Sequence, residues 1–195
     1  MKNQSQMTFP FLRGVNFGYL ARAEYYGSDA MLHEIDGMAE AGVEWVSLMV
    51  TIMQESFYST RLYHDFHWTC SDRDLERVIR HCQKRRIKVF LKPIVECLDS
   101  SWRGLIQFPQ DNQQIQGTVV NRWPIWFDSY RQAITHYAQL ADELGVEAFA
   151  LAQELKGAEP QTAQWQQTVA ALRELYDGWL CVNLNNKLSA RDPRI

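Results

Sequence analysis

Glu154 is the residue whose place in the chain most needs a chemical explanation. It follows the apolar run Phe149-Ala150-Leu151-Ala152, with only Gln153 between, so a carboxylate stands at the tip of what reads as a buried strand. Such a group is costly unless it is ion-paired or works on a ligand. Two readings are open: a structural pair with Lys92, Arg13 or Lys156, or a proton-transfer group in a cleft. Polar residues follow other apolar runs in the same way: Gln54 and Glu55, Lys92 and Glu96, Asn183 and Asn185. Carboxylates in that position can move protons, while amides and an ammonium can read hydroxyl groups. Trp102 and Trp126, in or beside the longest polar loop, offer flat faces on which a ligand could stack.

The elements that would hold these residues alternate along the chain. Apolar runs predict strands over Phe11–Phe17, Val43–Val50, Ile87–Val95, Phe149–Ala152 and Trp179–Asn185. Helical spacing predicts helices over Asp29–Gly42, Ser71–Arg86, Trp126–Gly145 and Thr162–Gly178. Ser71 with Asp74 forms a capping-box pattern, and Gly42 is placed to close its helix. Nearly continuous apolar strands that alternate with helices imply an α/β fold, a parallel sheet covered by helices. Periodicity leaves open whether the sheet closes into a barrel or stays doubly wound. Polar residues gathered just after the strands fit the catalytic face of a barrel and the ligand crevice of an open sheet alike.

Composition narrows the function. A chain of 195 residues with 46% hydrophobic and 22% charged residues predicts one globular domain over 1–195, with a polar tail at 187–195. A net charge of −3, with basic residues scattered apart from Lys84-Arg85-Arg86, argues against a nucleic-acid or membrane-surface partner. No apolar run has the length of a membrane helix, and the first residues lack a signal core, so a cytoplasmic location is expected. Cys70, Cys82, Cys97 and Cys181 show no CxxC spacing, and no phosphate-binding glycine loop follows any strand. His64 and His67 form an HxxH pair without a matching ligand cluster, so a surface loop is expected there. Neither a metal nor a cofactor is expected.

The strand-end motifs resemble glycoside hydrolase family 113, a clan A barrel family that includes β-mannanases. The resemblance is carried by RGVNF (13–17), TIMQ (51–54), TCSDRDLERVI (69–79), VFLKP (89–93) and SSWRGLI (100–106). The long segment WFDSYRQAITHYAQLADELGVEAFALAQEL (126–155) and WQQTVAALRELYDGWL (165–180) complete it. It implies a (β/α)8 TIM-barrel type fold, truncated to about five βα units. It also implies a retaining glycoside hydrolase similar to endo-1,4-β-mannanase, acting on an oligo- or polysaccharide in carbohydrate metabolism.

In the family the glutamate of the EL motif is the general acid/base, and that residue is Glu154. Chemistry agrees, because a carboxyl against apolar walls stays protonated at higher pH. A retaining mechanism needs a second carboxylate about 5–5.5 Å away. The resemblance places that nucleophile late in the barrel, so it is expected to be missing from this chain. Glu55, Glu96 and Asp99 are the local substitutes, which an inverting geometry of about 6.5–9.5 Å would suit better. Substrate contacts are expected from Asn16, Gln54, Lys92, Trp102, Trp126 and Asn185, with Asn185 matching a family asparagine. Arg13 is expected to orient Glu154 or to serve structure. Gln153 and Ile94 depart from the family pattern. An alternative is a truncated barrel that binds carbohydrate without cleaving it; another is a metal-dependent sugar isomerase using Glu96, Glu154 and His67. Five strands would leave unpaired edges, a route to self-association.

Overall fold

A computed structural model describes residues 12–108, 113–115 and 118–183. Asn185 and the polar tail 187–195 lie outside the described residues.

Five strands form one sheet: β1 (Gly14–Phe17), β2 (Trp45–Gln54), β3 (Lys88–Cys97), β6 (Ala148–Gln153) and β7 (Trp179–Asn183), in that spatial order. Every pairing in this sheet is parallel. β2 and β3 share a ten-residue register from Trp45 opposite Lys88 to Gln54 opposite Cys97, the backbone of the sheet. Both strands run longer than the sequence patterns predict. Thr51-Ile52-Met53-Gln54 stays buried and paired, which places Gln54 within its strand rather than beyond it. β3 likewise carries Glu96 inside its last turn of pleat.

The sheet is curved. Trp45 of β2 and Trp179 of β7 stack with ring centroids 5.9 Å apart and planes inclined by 15°. Three inter-strand steps separate those strands, roughly 14 Å in a flat sheet. The rings therefore meet across a concave face.

Helices cover the other face. α1 (Ala23–Tyr26) is a single turn absent from the sequence patterns, followed by α2 (Asp29–Glu40) and α3 (Asp72–Lys84). Ser71 caps the helix as expected, accepting from the Asp74 N–H at 3.1 Å, while the Asp74 carboxylate accepts from the Ser71 hydroxyl at 2.8 Å rather than from its backbone N–H as in a full capping box. Gly42, with φ of +79°, ends α2 in a left-handed conformation that a Cβ would oppose.

α4 (Trp123–Glu143) starts three residues before the periodicity suggested, with Pro124 in its first turn. Its buried face is a column of Trp123, Trp126, Phe127, Tyr130, Ile134 and Tyr137. The Tyr130 hydroxyl donates to the Leu151 carbonyl at 2.6 Å, tying this helix to β6. α5 (Thr162–Arg173) precedes β7 and ends before the predicted Gly178. A short antiparallel pair, β4 (Gln113–Ile115) with β5 (Thr118–Val120), occupies part of the polar loop before α4.

Candidate active site

The C-terminal ends of β3 and β6, with the turns that follow them, gather the charged groups. Arg103 lies in a single 3-10 turn, Arg103–Leu105, just beyond β3. Its side chain is 5% exposed and makes two ion pairs, with Glu96 and with Glu154. Nη1 donates to Glu154 Oε2 at 2.9 Å, and Nη2 donates to Glu96 Oε1 and, at 3.1 Å, to the Tyr19 hydroxyl. Nε donates to the Val95 carbonyl at 3.2 Å. A buried guanidinium with this many acceptors is held in one orientation.

Two glycines make that placement sterically feasible. A Cβ on Gly104 would lie 2.4 Å from the Trp102 ring, and one on Gly157 would lie 1.9 Å from the Ile106 carbonyl oxygen. The turn carrying Arg103 thus packs directly against the turn Lys156–Ala158 that follows Glu154. Glu154 itself has φ of +53° and donates its N–H to the Asn183 carbonyl at 2.8 Å. A non-glycine residue in that region costs on the order of 1–3 kcal/mol and persists only where its surroundings enforce it. Leu20 and Ser100, also at positive φ, line the neighbouring cleft. Backbone strain is concentrated around this site.

The cleft has a volume of ≈ 350 Å³ and is walled by Tyr19, Met53, Trp68, Glu96, Trp102 and Arg103. Trp102, which lines this cleft, is 37% exposed. Burial raises the Glu96 carboxyl above its ordinary range, against the pull of Arg103 and Tyr19, and the Glu154 charge adds to the rise. Lys92 is buried, and its Nζ donates to Asn16 Oδ1 at 3.5 Å. Burial lowers the Lys92 ammonium, with Cys181 and Glu154 acting in the other direction.

Several sequence expectations are placed differently. Gln54 and Trp126 are fully buried, and the Trp126 indole donates to Gln54 Oε1 at 3.0 Å. They satisfy one another between β2 and α4 and offer nothing to a ligand at the surface. Arg13 is exposed and pairs with Glu44 at the opposite end of the sheet, away from Glu154. Glu154 meets a cation and is about one-third exposed, rather than being walled by apolar groups. Asp99 accepts from the Ser101 N–H at 2.9 Å, and Glu55 lines a separate cleft of ≈ 740 Å³ with Tyr58, Arg61 and Arg122. Glu96 alone of the three carboxylates considered as substitutes shares the guanidinium with Glu154. His64 faces Tyr137 and His136, and among the described residues no three metal-type ligands come together.

Sequence reasoning missed Arg103 and Tyr19. The signal was present in Trp102-Arg103-Gly104, a cation between a large ring and a glycine in the loop that follows a strand. Its partners were unreadable, because Glu96 and Glu154 meet it only through the turn packing.

Carboxylates at the C-terminal ends of parallel strands, with a partly exposed tryptophan in the loop that follows one of them, have the arrangement expected at the ligand face of a barrel. The model of glycoside hydrolase family 113 matches residues 15–192, and the chain belongs to that family. Two solved structures, one described as GH113 β-1,4-mannanase and one as its complex, align with TM-scores of 0.83 and 0.81 at 27% and 26% identity. The GH113 β-mannanase of Alicyclobacillus acidocaldarius in complex with ManMIm aligns with a TM-score of 0.81 at 31% identity. Each alignment covers 90% of this chain, but only 56%, 56% and 55% of the respective relative. The five parallel strands thus correspond to part of a (β/α)8 barrel. No match was found among curated proteins.

Proposed function

We propose that the chain is a glycoside hydrolase of the β-mannanase type, with Glu154 as the general acid/base. The observation that carries this reading is the Glu154 carboxyl at the C-terminal end of a parallel strand, in a strained conformation, fixed by Arg103 beside an open tryptophan. Membership of the family and the β-1,4-mannanase relatives support the reaction class and the substrate class.

Glu154 donates a proton to the glycosidic oxygen as the bond to the anomeric carbon breaks, and later takes a proton from water. Arg103 holds the carboxyl in place throughout, and Trp102 presents its face to a sugar ring. Lys92 and Asn16 supply polar contacts deeper on β3 and β1. A retaining pair would take its second carboxylate from the part of the barrel beyond residues 12–183, since the alignment covers 56% of the mannanase relative.

The test is product formation from β-1,4-manno-oligosaccharides by the purified chain and by Glu154→Gln. Cleavage that the substitution abolishes supports the reading; cleavage that survives it sinks the role of Glu154. A second reading, carbohydrate binding without cleavage, is favoured by the partly exposed Trp102 and by the polar pair Lys92 and Asn16. Saturable oligosaccharide binding with no product would support that one. The sheet edges at β1 and β7, unpaired among the described residues, provide a surface for self-association.

A further inference from the structure

Two carboxylates lean on one buried cation at this site. Glu96 and Glu154 both pair with Arg103, which also donates to the Val95 carbonyl and the Tyr19 hydroxyl. With both glutamates ionised they compete for one guanidinium in a poorly solvated setting, Lys92 being the next cation, so a proton on one strengthens the hold of the guanidinium on the other. The guanidinium has little room to relocate, because its turn is fixed by Gly104 under Trp102 and by Gly157 against Ile106. Titratable groups beside the cluster are Tyr19 after β1, Lys92, Glu96 and Cys97 on β3, and Arg103 in the following turn, with Cys181 on β7 next to Lys92.

We propose that Arg103 is the positioning residue for the Glu154 carboxyl, and that Glu96 tunes proton transfer at Glu154 by competing for the same guanidinium. This rests on the reading of Glu154 as the acid/base. When Glu154 passes its proton to the glycosidic oxygen, the new carboxylate draws on Arg103 and raises the proton affinity of Glu96. When Glu154 recovers a proton from water, that effect reverses. Coupling of this kind is reciprocal, so it can be read at either glutamate.

The experiment follows the carboxyl resonances of the 195-residue chain, carrying ¹³C-labelled glutamate, through a pH titration. The signal absent from Glu96→Gln identifies Glu96. Glu154→Gln is expected to lower the Glu96 midpoint, and Arg103→Gln to raise it, with Arg103→Lys as the milder variant should the glutamine form fail to fold. A Glu96 midpoint unmoved by Glu154→Gln overturns the proposal, whatever the activity shows. In product formation, Glu96→Gln is expected to displace the pH profile with KM retained. A loss of amplitude with an unshifted profile would mark Glu96 as structural and overturn its tuning role. Moved midpoints together with turnover that survives Glu154→Gln would sink the functional reading and the catalytic meaning of the coupling, while the coupling itself stood.

Discussion

Glu154→Gln keeps the shape of the side chain and leaves an oxygen for Arg103, while Glu96 still neutralises the guanidinium. The variant should therefore fold, with a thermal midpoint close to that of the parent, and lose about 10²–10⁴-fold in turnover, the usual scale of general acid–base catalysis. Unfolding by heat alongside the activity assay separates the two effects. Trp102 makes a different kind of contribution. Its ring is partly exposed over the cleft, and Trp102→Ala should weaken oligosaccharide binding by about tenfold, the scale of one aromatic contact. Titration calorimetry on Glu154→Gln, with and without the Trp102 change, measures this without turnover. At this scale the sequence was informative about which residues stand at strand ends, and poor about what each one touches. Trp102 and Trp126 look alike as letters; one opens onto a cleft and the other lies at the centre of the packing between helix and sheet.

Among the elements, the contact between β2 and α4 is the one most open to measurement. Gln54 and Trp126 exchange a buried hydrogen bond, and the Gln54 amide also donates to the Ser56 carbonyl at 2.7 Å. Trp126→Phe removes the donor and leaves a buried acceptor unsatisfied, at a cost of about 1–3 kcal/mol before any cavity is counted. A double-mutant cycle with Gln54→Met in urea should return a coupling of roughly 0.5–3 kcal/mol. Additive effects would show that the two side chains act independently. Four helices and five parallel strands were legible from periodicity, because each buries an apolar face of the right spacing. Their ends were less so: α4 reaches back to Trp123 because a buried tryptophan and a helix-starting proline outweigh the polar character of the preceding loop. The left-handed Glu154 left no trace in the sequence, since the cost of that conformation is met by Arg103 and Asn183, both distant along the chain.

For the molecule as a whole, alkali is the revealing variable. Burial pushes the Cys70 and Cys82 thiols up to about 12 and Cys97 to about 11, from an ordinary value of 9.0. In the unfolded chain these thiols ionise near the ordinary value, while the native protein keeps their protons. The unfolded state then binds fewer protons, so stability must fall as pH rises from about 9 toward 11–12. Urea midpoints should decline across that window, and thiol-alkylation rates of the native protein should stay slow within it. A flat urea profile would contradict the burial of these three residues. The proposed self-association makes a second prediction at this scale: sedimentation at rising concentration should show it, and charged replacements of Val182, exposed on β7, should suppress it.

The stacked Trp45 and Trp179 have an optical consequence. Two indoles 5.9 Å apart and nearly parallel couple their excited states, so the protein carries a built-in spectroscopic ruler across the hollow of its sheet. A couplet in circular dichroism, lost in Trp179→Phe, would report how tightly the strands are rolled. Anything that flattens the roll, from solvent to an added chain, would dim that signal before the helices unfold.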